Sequence, residues 1–137
     1  MTRFQLVRIL LGLIGIGLMV ATLPIFFPAW LMADCHRWLG LGEFPNQPIT
    51  LYLARSTSLL YAIHGFVMTY VAVTFQRNWH WAPVLGWIHL VAGLMMLGID
   101  SAAPMPLYWI VGEGPGVAAM GAVLIWLSRG IQPSQSP

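Results

Sequence analysis

The sequence has no lysine, a single cysteine and only ten formal charges in 137 residues: six arginines against Asp34, Glu43, Asp100 and Glu113, for a net charge of +2. A soluble domain carries about 25% charged residues, whereas this chain carries 7%, with 58% apolar residues and a mean hydropathy of +0.77. So few charges cannot clothe a water-exposed globule, which excludes a soluble enzyme. The sparse positive balance cannot track phosphates, so no nucleic-acid partner is expected, and the apolar content excludes a disordered chain. With Cys35 alone there is no internal disulfide and no thiol redox pair. A nucleotide loop, zinc-ligand spacing and a serine nucleophile with its base are all missing. The sequence therefore assigns no catalytic residue and no metal, and favours a non-enzyme.

What the sequence does have is long uncharged runs. There are 25 uncharged residues between Arg8 and Asp34, 21 between Arg55 and Arg77, 22 between Arg77 and Asp100, and 15 between Glu113 and Arg129. A helix needs about 20 mainly apolar residues to cross the hydrocarbon core. Each of the first three runs holds one span, and the fourth becomes long enough when extended back to Leu107. Continuous apolar runs of this kind are not the alternating segments of a barrel. The expected fold is all-α: a single transmembrane domain over 1–137, a four-helix bundle with spans at about 5–27, 49–75, 82–100 and 106–128. The tail at 130–137 is polar. The first run is longer than a signal-peptide core and lacks a clean cleavage site, so a retained helix is expected.

The arginines set the orientation. With the N- and C-termini in the cytoplasm, Arg3, Arg8, Arg77 and Arg129 face inward, and Arg37, Arg55 and all four acids face outward. This satisfies the positive-inside rule and places the chain as a multi-pass protein of a bacterial inner membrane. Pro24 and Pro28 end or bend the first span. Between them and Pro45, the segment 29–42 alternates Trp30, Leu31, Trp38, Leu39 and Leu41 with Asp34, His36 and Arg37, a pattern for a short amphipathic helix lying in the outer interface. His36 and His80 fall in loops and are expected in solvent. Ser101 is positioned to cap the fourth span, with Pro104 or Pro106 in its first turn.

Two polar layers follow from the spacing. Arg55, Asp100 and Glu113 each lie near the outer end of a span, where a short intramembrane acid needs a partner. They are expected to form a cluster that is either an ion pair fixing helix order or a ligand pocket open to the outside. Gly112, Gly114, Pro115 and Gly116 surround Glu113, and the small residues Gly114, Ala118 and Ala122 form a stripe matched by Ala54, Ser58 and Ala62. These stripes predict that the second and fourth spans pack together. The deeper layer contains His64, about 13.5 Å below Arg55, and His89, about 16.5 Å below Asp100, by helix rise. Two midplane imidazoles are possible axial ligands for haem b, or contacts for quinone. The alternative is that each bonds a neighbouring hydroxyl or carbonyl. Phase puts His89, Met96 and Asp100 on one face, a possible proton path, and sets His64 opposite Arg55.

Tyr52–Gly65 (YLARSTSLLYAIHG) and Gly98–Gly116 (GIDSAAPMPLYWIVGEGPG) carry a family resemblance. Over most of its length the chain resembles small four-span bacterial membrane proteins of the planctomycete type, and its layout is similar to the DoxX-like group. The resemblance implies the same topology but no particular activity. It includes Arg55, His64, Asp100 and Glu113 in the family-like segments and leaves His89 outside them. The leading expectation is a non-enzymatic protein of the bilayer that binds a partner, a lipid or a small molecule at the outer leaflet through Arg55, Asp100 and Glu113, with 30–41 as a lid. Other membrane proteins or further copies of the chain are candidate partners. The alternative is a redox subunit holding haem b or quinone through His64 and His89.

Overall fold

A computed structural model describes residues 1–103 and 105–131. Pro104 and the segment 132–137, where a capping proline and the polar tail were expected, lie outside the described residues. Those described are helical with no strands: α1 (Arg3–Met19), α2 (Thr22–Phe26), α3 (Ala29–Trp38), α4 (Pro48–Val73), α5 (Phe75–Asn78), α6 (Trp81–Ala102) and α7 (Leu107–Ser128). Among them, four segments are long and apolar enough to cross a membrane, fitting a four-helix bundle: Arg3–Phe26, Pro48–Val73, Trp81–Ala102 and Leu107–Ser128. Their bounds match the four spans expected from the sequence to within two residues. Large apolar side chains cover their outer surfaces, among them Leu13, Ile16, Phe66 and Leu94. An aqueous protein would bury residues of this size.

The chain divides into two compact units, 1–13 with 68–137 and 14–67. In the first, α1 opens with a capping box: the Thr2 amide donates to Gln5 Oε1 at 3.0 Å, and the Gln5 amide donates to Thr2 Oγ1 at 3.2 Å. Val7, Leu11, Met68, Val71, Phe75, Leu85 and Leu124 form its core. The rings of Phe4 and Phe75 lie 4.7 Å apart. Arg3 stands over Trp126, 5.5 Å from the ring centroid, and donates to the Arg129 carbonyl at 3.1 Å. The start of α1 and the end of α7 are thereby joined.

α6 and α7 form the closest helix pair of this unit. A Cβ added at Gly114 would stand 2.6 Å from the Leu97 nitrogen and 2.8 Å from the Gly93 oxygen, and one added at Gly86 would stand 3.1 Å from the Gly121 oxygen. Gly86 and Gly93 on α6 thus meet Gly121 and Gly114 on α7 in antiparallel register. Both pairs are seven residues apart, so they return to the same seam after two turns. This corrects the packing expected from the small-residue stripes: Gly114 and Ala118 lie against α6, the third span, and Ala122 is exposed. α7 runs through Pro115 as one helix. Ser101 does not cap α7. It lies within α6 and donates to the Leu97 carbonyl at 2.6 Å, while Pro106 directly precedes α7.

In the second unit the backbones of α1 and α4 touch at Gly65, where a Cβ would come within 2.6 Å of the Gly15 oxygen. α3 is the expected short helix of 29–42. It stops at Trp38 because Gly40, at φ 70°, turns the chain. The Gly40 amide donates to the Arg37 carbonyl and the Leu41 amide to the His36 carbonyl, closing a Schellman motif. His36 is half-buried rather than solvated. Its Nδ1 donates to the Gly42 carbonyl at 3.0 Å, and its ring meets Phe44 edge-on at 5.6 Å. The exposed His80 stands between Trp79 and Trp81, with ring centroids 6.4 and 6.0 Å away.

Candidate functional site

Asp100 is the most unusual polar residue of the first unit. α6 buries one stripe of Ala82, Leu85, Gly86, His89, Gly93 and Asp100, so His89 and Asp100 do share a face as helical phase requires, with half-buried Met96 between them. Because Gly93 and Leu97 lie against α7, the same stripe brings Asp100 to the first turns of α7. Asp100 is only 7% exposed, and its Oδ2 has no hydrogen-bond partner among the described residues. A buried acceptor left unpaired costs about 1–3 kcal/mol.

Glu113 lies near the same level. Gly114 meets Leu97, and Asp100 is three residues beyond Leu97, about 4.5 Å along the axis. Half-buried Glu113 accepts a hydrogen bond at Oε2 from the indole nitrogen of Trp109, four residues earlier on α7. Tyr108, Trp109, Gly112 and Glu113 line a depression of about 340 Å³. Gly112 makes room for it, since a Cβ there would meet nothing within 4 Å. The arrangement provides an indole and a phenol for an apolar body, with two carboxylates near one level for a head that donates hydrogen bonds. Trp109 is not among the site residues expected from the sequence. The signal for its pairing was the four-residue step from Trp109 to Glu113.

The other predicted site residues are placed as follows. Arg55 is on α4 in the second unit, where it donates to the Phe27 carbonyl at 3.2 Å, at the C-terminal end of α2. It satisfies a carbonyl left open by the helix terminus. α3, expected as a lid, carries an Arg37–Asp34 ion pair on its own surface. A cavity of about 310 Å³ lies beside it, lined by Ala29, Trp30, Ala33, Phe44 and Asn46. His64 is half-buried in α4 of the second unit, and His89 belongs to the first. His89 is 5% exposed, with Nδ1 donating to the Leu85 carbonyl at 2.8 Å, one turn earlier. A bond from histidine to a neighbouring carbonyl was the ordinary alternative to haem ligation.

No protein-family model, no curated protein and no solved structure matches the chain.

Proposed function

We propose that this multi-pass membrane protein is a non-enzymatic binding protein for a small amphiphile whose head donates hydrogen bonds, such as an amine or a hydroxyl. The site lies at the Asp100–Glu113 end of the α6–α7 hairpin. The observation that carries this reading is the unpartnered, nine-tenths buried Oδ2 of Asp100. A donor brought by a ligand recovers the free energy that an unpaired buried acceptor forfeits. The depression at Gly112 adds an apolar seat beside Tyr108 and Trp109. In this reading Arg55 holds the end of α2, and the two acids form the recognition pair.

The orientation belongs to the same proposal. In the first unit Arg3, Arg8, Arg77 and Arg129 are at the end opposite Asp100 and Glu113. The positive-inside rule turns that end to the cytoplasm of a bacterial inner membrane and the acid pair to the outer leaflet. A place among small four-span proteins of the planctomycete or DoxX-like type is consistent with this layout and rests on the sequence segments alone.

The test is mass spectrometry of the small molecules that co-purify with the wild-type chain and with Asp100→Leu. The reading predicts an amphiphile with a donor head, enriched over bulk lipid on the wild type and absent from the variant. An identical lipid complement on both proteins would remove the acid pair as a binding site.

A further inference from the structure

The opposite end of the first unit carries a second, independent feature. Gln5, Arg8 and Ile9 of α1, together with Met1, face Ala72 and Val73 at the end of α4 across a groove of about 520 Å³. The groove lies where the two helices run close, with Gly12 set so that a Cβ would contact the Ala72 Cβ at 3.7 Å. One side is apolar and outward-facing, with Ile9 47% and Val73 70% exposed. The exposed side chains of Gln5 and Arg8 make the other side polar.

Charge selects the occupant. Arg3 is joined to the Arg129 carbonyl and Trp126, and Arg77 lies in α5 next to Phe75, whose ring meets Phe4. Four arginines therefore share this end. The acids of the unit, Asp100 and Glu113, lie about 28 Å from Trp81 along α6 and about 22 Å from Ser128 along α7, by helix rise. Among the described residues of this unit, no carboxylate is close enough to neutralise Arg8. Gln5 adds direction: its Oε1 already accepts the Thr2 amide, so the remaining polar group of its side chain is the two-donor amide nitrogen. A guanidinium and an amide N–H, one helical turn apart and beside a lipid-facing apolar wall, suit a phosphate group with an acyl chain attached.

We infer that the α1–α4 groove is a binding site for one anionic phospholipid. Arg8 and Gln5 donate to its phosphate, and Ile9 and Val73 lie along its acyl chain. This does not depend on the acid pair at the other end.

The test is native mass spectrometry of the full chain in detergent, with phosphatidylglycerol and phosphatidylcholine supplied in equal amounts. The wild type is expected to retain phosphatidylglycerol selectively. Arg8→Gln is expected to weaken retention by about tenfold, the effect of losing one charge-assisted hydrogen bond. Gln5→Glu is expected to do the same by repulsion while keeping the capping box, which accepts either residue. Arg77→Gln, at the same end but outside the groove, should bind like the wild type. Equal retention of phosphatidylcholine, an unaffected Arg8→Gln, or an equal loss in Arg77→Gln would each overturn the site. So would a lipid-free dimer that dissociates on Arg8→Gln, because a second copy would then be the occupant.

Discussion

Replacing Gly114 with alanine tests the α6–α7 seam with a single methyl group. The added Cβ would stand 2.6 Å from the Leu97 nitrogen, 2.8 Å from the Gly93 oxygen and 2.9 Å from the Leu97 Cα. All three are backbone atoms, so no side chain can rotate away, and the helices must separate by most of an ångström to reach ordinary contact. Gly121, two turns further along, is held equally close by Leu90 and Gly86, so separation at one point loosens the other. Overpacking of this kind costs about 1–3 kcal/mol. The control is Gly98→Ala on α6, where a Cβ meets nothing within 4 Å. Removing a helical glycine there is expected to be neutral or to stabilise by up to about 1 kcal/mol. Both variants can be followed by tryptophan fluorescence during thermal unfolding in one detergent. A Gly114→Ala protein as stable as Gly98→Ala would refute the close seam.

Asp100→Leu removes the unpaired acceptor and is expected to raise stability by about 1–3 kcal/mol while abolishing ligand retention, as read by melting temperature and mass spectrometry; a fall in stability would show that Asp100 is held by the fold. His36→Ala loses the bond to Gly42 and the edge contact with Phe44, about 1–2 kcal/mol in local terms, and should speed proteolysis of the 40–47 loop without shifting global unfolding. Arg55→Gln is expected to cost about 1 kcal/mol or less and to increase amide exchange around Phe27. Trp109→Phe keeps an apolar ring but leaves the half-buried Glu113 carboxylate without its indole donor, so it is expected to cost about 1 kcal/mol in stability and to strengthen retention of a donor-headed amphiphile, as read by unfolding midpoint and mass spectrometry.

The spans were legible because a charged side chain is so costly in hydrocarbon that each uncharged run locates one helix, although Arg55, Asp100 and Glu113 lie inside the helices near their ends. The start of α3 was legible at Pro28, but its end was not: the expected segment ran to 42, whereas Gly40 turns the chain just after Trp38. Helix partners were harder to read. A small-residue stripe says that something approaches closely but not what does, and following Gly114, Ala118 and Ala122 in steps of four pointed to the second span. The seven-residue spacing shared by Gly86/Gly93 and Gly114/Gly121 was the better guide, since equal periods on consecutive antiparallel helices keep both pairs in register. Of the candidate site, the common depth of Asp100 and Glu113 could be counted from helix rise, and so could the shared face of Asp100 and His89. The partners could not be counted. Trp109 reaches Glu113 along one helix and Arg55 reaches Phe27 across 28 residues of chain. Those choices depend on side-chain reach and on open carbonyls at helix ends.

Gly112→Leu isolates the central claim most directly. The position opens into the depression beside Tyr108, Trp109 and Glu113, and a Cβ there meets nothing within 4 Å, so a leucine has room to project into the proposed seat. The measurement is the amount of donor-headed amphiphile retained per chain through purification. The account predicts at least a tenfold drop relative to the wild type, with an unchanged unfolding midpoint. Equal retention by the two proteins would contradict it.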